Sequence, residues 1–207
     1  MPDALHKEVL TKEQITLLPL IKRSNKNFGL VGGTATALHI GHRESIDFDL
    51  FSLEEFDNLN IRKVILKKQK IDRVIVDKTG EYTLLINNVK ITFYHYPFEI
   101  DYSRKLDDII KLPDLLTLAA MKAYTLGRRA KWKDYVDLYF VMKDYHKLKE
   151  IVERAKMIFG HEFNEKFFRS QLVYFEDLDY SEEIIFKKDF EVSNEKVKKE
   201  LIEFSLG

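Results

Sequence analysis

The chain contains no cysteine among its 207 residues. This absence excludes disulfide bonds, zinc sites built on thiolates and thiol nucleophiles, and it is typical of proteins in a reducing compartment. No stretch approaches the roughly 18 consecutive apolar residues that a membrane-spanning helix needs. Residues 1–16 carry charges throughout and lack the apolar core of a secretory signal. These absences predict a cytoplasmic protein that makes no membrane contact.

The sequence also lacks a surplus of charge of either sign, because 34 lysines and arginines balance 34 aspartates and glutamates. A balanced chain has no global field that draws it to nucleic acid or to an anionic membrane. Any contact with nucleic acid must therefore be made by a local patch. Hydrophobic residues make up 45% of the sequence, which is enough to bury a substantial core.

Hydrophobic periodicity and turn residues predict an α/β arrangement in the first half of the chain. Thr11 and Gln14 belong to a capping-box signature, which predicts a helix running to about Asn25. Ser52 and Glu55 repeat that signature and predict a second helix to about residue 68. A further helix is expected over residues 34–40, and strands are expected over residues 28–31, 47–51, 74–77, 82–86 and 89–96. Tight turns separate the last three strands, so they should form an antiparallel meander.

The second half of the chain is predicted to be mainly helical. Pro113 suits the first position of a helix, and helical patterns cover residues 113–126, 133–144 and further segments to Phe204. The boundary between the two halves is expected near residues 101–112.

Alternating residues around position 48 predict a strand with one apolar and one chemically active face. If residues 46–51 are extended, Phe48 and Leu50 share the apolar face. The opposite face then carries the polar residues Arg43, Ser45, Asp47 and Asp49. Two carboxylates two positions apart are suited to binding hard divalent cations. Solvated carboxylates without a ligand are the structural alternative.

A glycine pair, Gly32-Gly33, follows the apolar run at residues 28–31. Because glycine has no side chain, backbone amides in such a strand-to-helix turn can approach an anion closely. The pair alone is equally compatible with a purely structural turn. Together with the paired aspartates, it favours a site for phosphate and metal.

Lys122 lies on an apolar helical stripe with Leu118, so its side chain should face the core or a cleft. Its charge there needs a nucleotide phosphate or a carboxylate as partner, unless its alkyl chain carries the ammonium out to solvent. Asp134 and Asp137 share a face of the next predicted helix. Spacing alone favours exposed ion pairs for them, including one between Lys133 and Asp137.

A basic and aromatic segment lies between these two predicted helices and consists of Arg128, Arg129, Lys131, Trp132 and Lys133. It could contact a phosphate backbone, or it could be an ordinary solvated loop. His95 ends the last predicted strand and could act as a base, whereas the other histidines show no metal-ligand spacing, so zinc is not predicted.

Four motifs together resemble the AbiEii/AbiGii toxin family of nucleotidyltransferases, within the polymerase-β-like superfamily. They are Gly-Gly-Thr-Ala at 32–35, Gly-His-Arg-x-Ser-x-Asp-x-Asp at 41–49, Ala-Ala-Met-Lys at 119–122 and Lys-x-Lys-Asp-Tyr-Val-Asp-Leu at 131–138. The resemblance implies an α/β fold, with a polymerase-β-like nucleotidyltransferase core containing a mixed sheet. A core over residues 1–106 would be followed by a helical domain over residues 107–207, which packs on the core and completes the cleft.

The resemblance also implies roles for individual residues. Asp47 and Asp49 would bind Mg²⁺ or Mn²⁺ and would be catalytic together with Lys122 and Asp137. The residues expected to bind the nucleoside triphosphate are Gly32, Gly33, Thr34, Arg43 and Ser45. Lys122 would contact phosphate, and Asp137 rather than Asp134 would orient Lys122 or the acceptor.

The implied reaction is transfer of a nucleoside monophosphate from a nucleoside triphosphate to an acceptor hydroxyl. The family includes toxins of type IV toxin-antitoxin and abortive-infection systems, and some members add nucleotides to transfer RNA. RNA, such as transfer RNA, is therefore a candidate acceptor, and a cognate antitoxin is a candidate partner.

One departure from the superfamily pattern concerns the third acid usually found on a later strand. Thr92 stands at the expected place. His95 or Asp137 could substitute for that acid, or positioning and metal ions could suffice. The alternative is a degenerate domain that binds nucleotide and acts through a partner protein or RNA.

Overall fold

The computed structural model describes residues 4–126, 128–129 and 131–207. Its α-helices are α1 (Lys12–Lys22), α2 (Gly32–Ile40), α3 (Asn58–Leu66), α4 (Leu115–Thr125), α5 (Trp132–Asp144), α6 (Leu148–Phe159), α7 (Glu165–Leu172) and α8 (Asn194–Ser205). Its strands are β1 (Gly29–Val31), β2 (Phe48–Ser52), β3 (Arg73–Lys78), β4 (Glu81–Ile86), β5 (Val89–His95), β6 (Arg104–Leu106) and β7 (Ile110–Leu112). None of the helices in these ranges has the length and apolar character that crossing a bilayer requires.

The described chain divides into two compact units. The sheet unit comprises Leu10–Ala35 and Ser45–Asp114, and the helical unit comprises the N-terminal residues to Val9, Thr36–Glu44 and Leu115–Gly207. The unit boundary falls within α2, whose first turn belongs to the sheet unit.

The sheet unit contains a seven-stranded mixed sheet in the order β3-β4-β5-β2-β1-β7-β6. β2 pairs antiparallel with β1 and parallel with β5, so it lies inside the sheet. The predicted meander is confirmed, since β4 pairs antiparallel with both β3 and β5. The fully buried sheet residues include Leu30, Phe48, Leu50, Leu84 and Ile91.

Local signals place α1 correctly. The Thr11 hydroxyl accepts the Gln14 backbone N–H, and the Gln14 side chain accepts the Thr11 N–H, so the predicted capping box is confirmed. The helix ends at Lys22, three residues before the predicted end.

The second predicted capping box is wrong. Ser52 is the last residue of β2, and its hydroxyl donates to the Glu54 carbonyl oxygen at 2.9 Å. α3 begins later, where the Asp57 carboxylate accepts the Leu59 N–H. Strands β6 and β7 were not predicted, because each has only three residues and, unlike β1, lies in no continuous apolar run.

The helical unit packs α4 along α6 and α5 along α8. Its α4 starts at Leu115, two residues after Pro113. Helix α5 matches the predicted segment closely, and its buried residues include Trp132, Val136 and Phe140.

Candidate active site

The alternation predicted for β2 is present in the strand itself. Phe48 and Leu50 are buried, whereas Asp49 is half-buried on the other face. However, the strand starts at Phe48, so the prediction that Arg43 and Ser45 extend its polar face is wrong. The Arg43 backbone instead forms an isolated bridge with Phe186, and its guanidinium is buried against Asp137 in the helical unit.

The first turn of α2 lies directly against the Asp49 carboxylate. Gly32 has a φ of 72°, a conformation that is unfavourable for residues with a side chain. A Cβ at this position would also overlap the Asp49 side chain. The glycine is thus required twice, once for its backbone conformation and once for the close approach of the carboxylate.

Hydrogen bonds fix the backbone just before β2. The Thr34 hydroxyl, in the first turn of α2, donates to the Asp47 carbonyl oxygen and lies 2.9 Å from the Ser45 hydroxyl. The Gln14 side chain donates to the same carbonyl at 3.2 Å. Asp47 is therefore held by its main chain, which leaves its carboxylate available for charged groups.

The Asp47 carboxylate is paired with Lys90 of β5. Lys90 Nζ lies 2.6 Å from Asp47 Oδ2, and both side chains are partly exposed. In the register between β2 and β5, Thr92 is the direct neighbour of Asp49. The strand beside the two aspartates thus supplies an ammonium and a hydroxyl, and no carboxylate.

The donor set in the sheet unit suits a hard cation. Within the described residues, no group of three or more His, Cys, Asp or Glu side chains is arranged to hold a metal ion. Two carboxylates completed by substrate phosphates and water are the usual way in which proteins bind Mg²⁺. Asp47 and Asp49 therefore fit Mg²⁺ or Mn²⁺, and they do not form an all-protein cage.

A second charged group lies in the helical unit and is centred on Asp137. Arg43 donates two hydrogen bonds to its carboxylate, from Nε at 2.7 Å and from Nη2 at 2.8 Å. Lys122 Nζ lies 2.7 Å from Asp137 Oδ2 and 2.8 Å from Asp134 Oδ1. His42 completes the group, with Nε2 at 2.8 Å from Asp137 Oδ1. We call these five residues the buried charge network.

The network is shielded from water, so burial affects the pKa values of its members. Asp137 has no exposed surface. Burial opposes its ionisation, but the nearby Arg43 and Lys122 outweigh that effect and hold its pKa well below its usual range. Burial lowers the pKa of His42, although Asp137 opposes that shift. A neutral His42 fits its surroundings, because Nδ1 is buried without a hydrogen-bond partner in the described structure.

The sequence left a phosphate, a carboxylate or solvent as the partner of Lys122, and the structure shows carboxylates, but the predicted exposure of the aspartates is wrong. Asp134 and Asp137 are buried, not exposed, and Lys133 pairs with Glu182 instead of Asp137. The sequence of α5 did contain a signal that these aspartates are buried. The buried Leu138 and Val141 lie four residues after the two aspartates and share their faces.

His42 is the member of the network that sequence reasoning missed. It lies beside Arg43 in the motif at residues 41–49, and no spacing marks it as a partner of Asp137, 95 positions away. Only the packing of residues 36–44 in the helical unit brings it to Asp137.

Most of the cations in the basic segment at residues 128–133 are engaged by carboxylates. Arg129 pairs with Asp134, and both Lys131 and Lys133 pair with Glu182. Trp132 is almost fully buried. Arg128 lies over the Tyr124 ring, 4.1 Å from its centroid. The structure therefore favours an ordinary structural role for this segment over binding of phosphate.

His95, which the sequence analysis considered as a base, donates a hydrogen bond from Nε2 to the Leu53 carbonyl oxygen at 3.0 Å.

The predicted site residues thus fall into two sets. Gly32, Gly33, Thr34, Ser45, Asp47 and Asp49 belong to the sheet unit, and Arg43, Lys122 and Asp137 belong to the helical unit.

We expect Asp137→Asn to destabilise the protein by about 3–5 kcal/mol, because it leaves two buried cations without their shared counter-ion. Asp144→Asn is the matched control, since Asp144 lies on the same helix with an exposed side chain and a weak ion pair. It should change the free energy of unfolding by no more than about 0.5 kcal/mol. Urea denaturation of both variants measures the difference, and equal stabilities would contradict the assigned importance of the network.

We expect stability to fall in two stages as the pH is lowered. The unfolded chain protonates His42 below its ordinary pKa of 6.5, whereas the buried ring resists protonation, so the free energy of unfolding declines below about pH 6.5. The stabilisation from Asp137 is present above the ordinary pKa of 3.8 and is lost as the pH falls through its lower folded pKa. Denaturation at a series of pH values should show both stages, and His42→Gln should remove the first. An unchanged first stage in that variant would refute the assignment.

Comparison with known proteins identifies the family of the chain. The model of the family described as "Nucleotidyl transferase AbiEii toxin, Type IV TA system" matches residues 21–203. An uncharacterized protein of Aquifex aeolicus is 31% identical over 156 residues, which cover 73% of this chain and 75% of the relative.

Solved structures show the same fold at low sequence identity. A putative nucleotidyltransferase from H. pylori matches with a TM-score of 0.57 and 16% identity, over 95% of each chain. The nucleotidyltransferase toxin MenT4 from Mycobacterium tuberculosis matches with a TM-score of 0.56 and 14% identity, over 93% of this chain and 81% of its own. The polymerase-β-like α/β fold predicted from the sequence is thereby confirmed, and the chain belongs to the AbiEii family of nucleotidyltransferase toxins.

Proposed function

We propose that the protein transfers a nucleoside monophosphate from a nucleoside triphosphate to an acceptor hydroxyl, with Mg²⁺ or Mn²⁺ bound by Asp47 and Asp49. The observation that carries this proposal is the contact between the Asp49 carboxylate and the first turn of α2 at Gly32. A cation-binding carboxylate and the amide end of a helix are thus neighbours in the sheet unit, as a metal-bound triphosphate requires.

The residues of the first turn of α2 have a defined task in this proposal. The backbone amides of Gly33 and Thr34 lie at the positive end of the helix and bind triphosphate oxygens. Ser45 supports this turn through its contact with the Thr34 hydroxyl at 2.9 Å. The ion, when bound, supplies positive charge that lowers the pKa of the acceptor hydroxyl and neutralises the leaving pyrophosphate.

The proposed transfer needs only the nucleoside triphosphate, the acceptor hydroxyl and water. The acceptor oxygen forms a bond to the α-phosphorus, and the bond from that phosphorus to its bridging oxygen breaks. Pyrophosphate leaves with the electron pair, and the acceptor proton passes to water. Thr92 cannot take that proton as a carboxylate would, so positioning and charge supply most of the rate.

The helical-unit residues keep the roles that the family resemblance implies. For Lys122 that role is contact with a phosphate, for which its buried ammonium would have to exchange one of its two aspartates, and for Asp137 it is to orient Lys122. The distance of 2.7 Å between their charged atoms supports the second role. Arg43, which the resemblance implies is a triphosphate ligand, is fully engaged by Asp137, so its contribution is to hold that carboxylate.

The biological setting follows from the family description. We propose that the protein acts as a toxin in a type IV toxin-antitoxin or abortive-infection system and that a cognate antitoxin controls it. Its acceptor is RNA, such as transfer RNA. It acts in the cytoplasm, where nucleoside triphosphates and RNA occur together.

A specific observation supports one rival function, a degenerate domain that binds nucleotide and acts through a partner protein or RNA. Thr92 stands beside Asp49 where the superfamily commonly has an acid, and Lys90 already pairs with Asp47. Such a domain would bind a triphosphate with Mg²⁺ and release no pyrophosphate with any acceptor.

We expect Asp47→Asn to reduce transfer of labelled nucleotide to RNA by about 100-fold or more, because a ligand of the catalytic cation is lost. The purified protein would be incubated with each labelled triphosphate and total RNA, and one gel would report activity and acceptor class. Asp101→Asn removes an exposed carboxylate of the same unit and should leave labelling unchanged. Equal labelling by wild type and Asp47→Asn would refute the mechanism. Triphosphate binding without labelling would favour the rival function.

We expect Lys90→Gln to strengthen Mn²⁺ binding by about tenfold. The Lys90 ammonium pairs with the Asp47 carboxylate and repels the metal ion, and the variant removes that charge. Titration calorimetry, or the loss of the free Mn²⁺ resonance signal, measures the affinity without any need for turnover. Lys78→Gln is the matched control, since it breaks an ion pair with Glu81 elsewhere in the sheet unit. Unchanged or weaker binding by Lys90→Gln alone would show that Lys90 does not compete with the ion.

A further inference from the structure

A dense group of cations lies on α3, in the turn that follows it and at the first residue of β3. Six of the residues from 62 to 73 are basic, although the whole chain is electrically balanced. We call this group the α3 basic surface, and it consists of Arg62, Lys63, Lys67, Lys68, Lys70 and Arg73. All six side chains are exposed.

None of these six cations forms an ion pair with a carboxylate in the part of the chain that the structure describes. The predicted phosphate-binding segment differs, because its Arg129, Lys131 and Lys133 are each paired with a carboxylate, that of Asp134 or of Glu182. The local patch of positive charge that nucleic-acid binding requires is therefore on α3, and the basic segment at residues 128–133 does not provide it.

The acidic residue within the same stretch does not neutralise the surface. Asp72 uses its carboxylate to accept the Asn87 backbone N–H at 2.7 Å, which fixes the turn between β4 and β5. The acid before the helix, Asp57, caps the N-terminus of α3 through the Leu59 N–H.

Fold stability does not account for this arrangement. Lys63 and Lys67 lie near the C-terminus of α3, where the helix dipole favours cations. However, they are also four residues apart on the helix, where like charges repel. Lys68, Lys70 and Arg73 lie beyond the helix end at Leu66, so the dipole does not explain them.

Two further cations lie beside the helix. A cavity of about 240 Å³ in the sheet unit is lined by Arg23 and Lys26, after α1, and by Asn60 and Val64 of α3. Arg23 and Lys26 are exposed, and neither pairs with a carboxylate among the described residues. Arg23 and Lys26 thus reach the same cavity as uncharged residues of α3, so they add positive charge beside the helix that carries the α3 basic surface.

We infer that the α3 basic surface, together with Arg23 and Lys26, binds the phosphate backbone of the RNA acceptor. That the anion is RNA rests on the proposed function, whereas the charge distribution itself does not. A run of unpaired lysines and arginines without a shaped pocket suits repeated phosphates, which proteins bind by charge and independently of sequence. The same unit carries Asp47 and Asp49, so RNA held here is bound by the unit that holds the proposed metal site.

The test compares two triple variants of the full chain. Lys63→Gln/Lys67→Gln/Lys68→Gln removes three charges from the α3 basic surface. Lys149→Gln/Lys188→Gln/Lys199→Gln removes three exposed charges from the helical unit. Affinity for a fluorescently labelled transfer RNA transcript would be measured by anisotropy at several salt concentrations, and thermal melting would verify that both variants are folded.

We expect the α3 variant to bind the transcript about tenfold or more weakly, with the slope of log affinity against log salt reduced by about two. The control variant should change neither quantity. Equal affinities and slopes for wild type and the α3 variant would overturn the inference. Retained RNA binding with loss of binding to poly-glutamate would also overturn it and would assign the surface to an acidic protein.

A further variant separates this inference from the proposed function. Asp47→Asn should bind the transcript as wild type does, because it leaves the α3 basic surface intact. If the α3 variant loses RNA binding while wild type transfers no nucleotide, the surface stands and the proposed function fails. If wild type labels RNA and the α3 variant binds and labels it equally well, the surface fails and the function stands.

Discussion

The site in the sheet unit depends on one close approach, between the Asp49 carboxylate and the backbone at Gly32. Any side chain at position 32 would occupy the space of that carboxylate and would strain a backbone with positive φ. The approach places an anionic group against the positive end of α2, where a helix normally attracts anions. A cation bound by Asp49 would extend this arrangement to a phosphate, so the geometry suits a metal-bound triphosphate better than either component alone.

Strand β5 supplies the side chains that neighbour the two aspartates. A parallel register brings Thr92 to Asp49, while Lys90 pairs with Asp47. A typical superfamily site gathers a third carboxylate here, which adds negative charge for cations and a base for the acceptor. This chain has an ammonium and a hydroxyl instead. The surroundings of the two aspartates are consequently less negative, and under the proposed function the affinity for a metal ion would depend more on the phosphates of the substrate.

The helical unit shows a different use of charge. Asp137 is fully buried and is balanced by a bidentate arginine, a lysine and a neutral histidine. Buried ions of this kind are costly unless each has its partner, so Asp134 and Asp137 together hold the ammonium of Lys122 between them. Many surface cations in the described part of the chain pair with carboxylates, but those on α3 do not. An electrically balanced chain can therefore carry one strongly positive surface, which its net charge conceals.

Local sequence signals determined a large part of this fold. The Thr11 capping box, the glycine bend, the alternation in β2 and the meander turns all arise from interactions between residues close in the chain, so they are readable from sequence. Gly32 and Asp49 were each recognisable in a motif, whereas their close approach depends on the pairing of β1 with β2.

Only the tertiary structure decided which charges are buried and which are paired. His42 meets Asp137 across 95 positions, and Lys90 reaches Asp47 through a strand pairing that no local pattern encodes. The pairing of residues 128–133 and the lack of pairing on α3 depend equally on long-range packing. Burial and distance set the energy of a charge, and neither quantity is contained in sequence spacing alone.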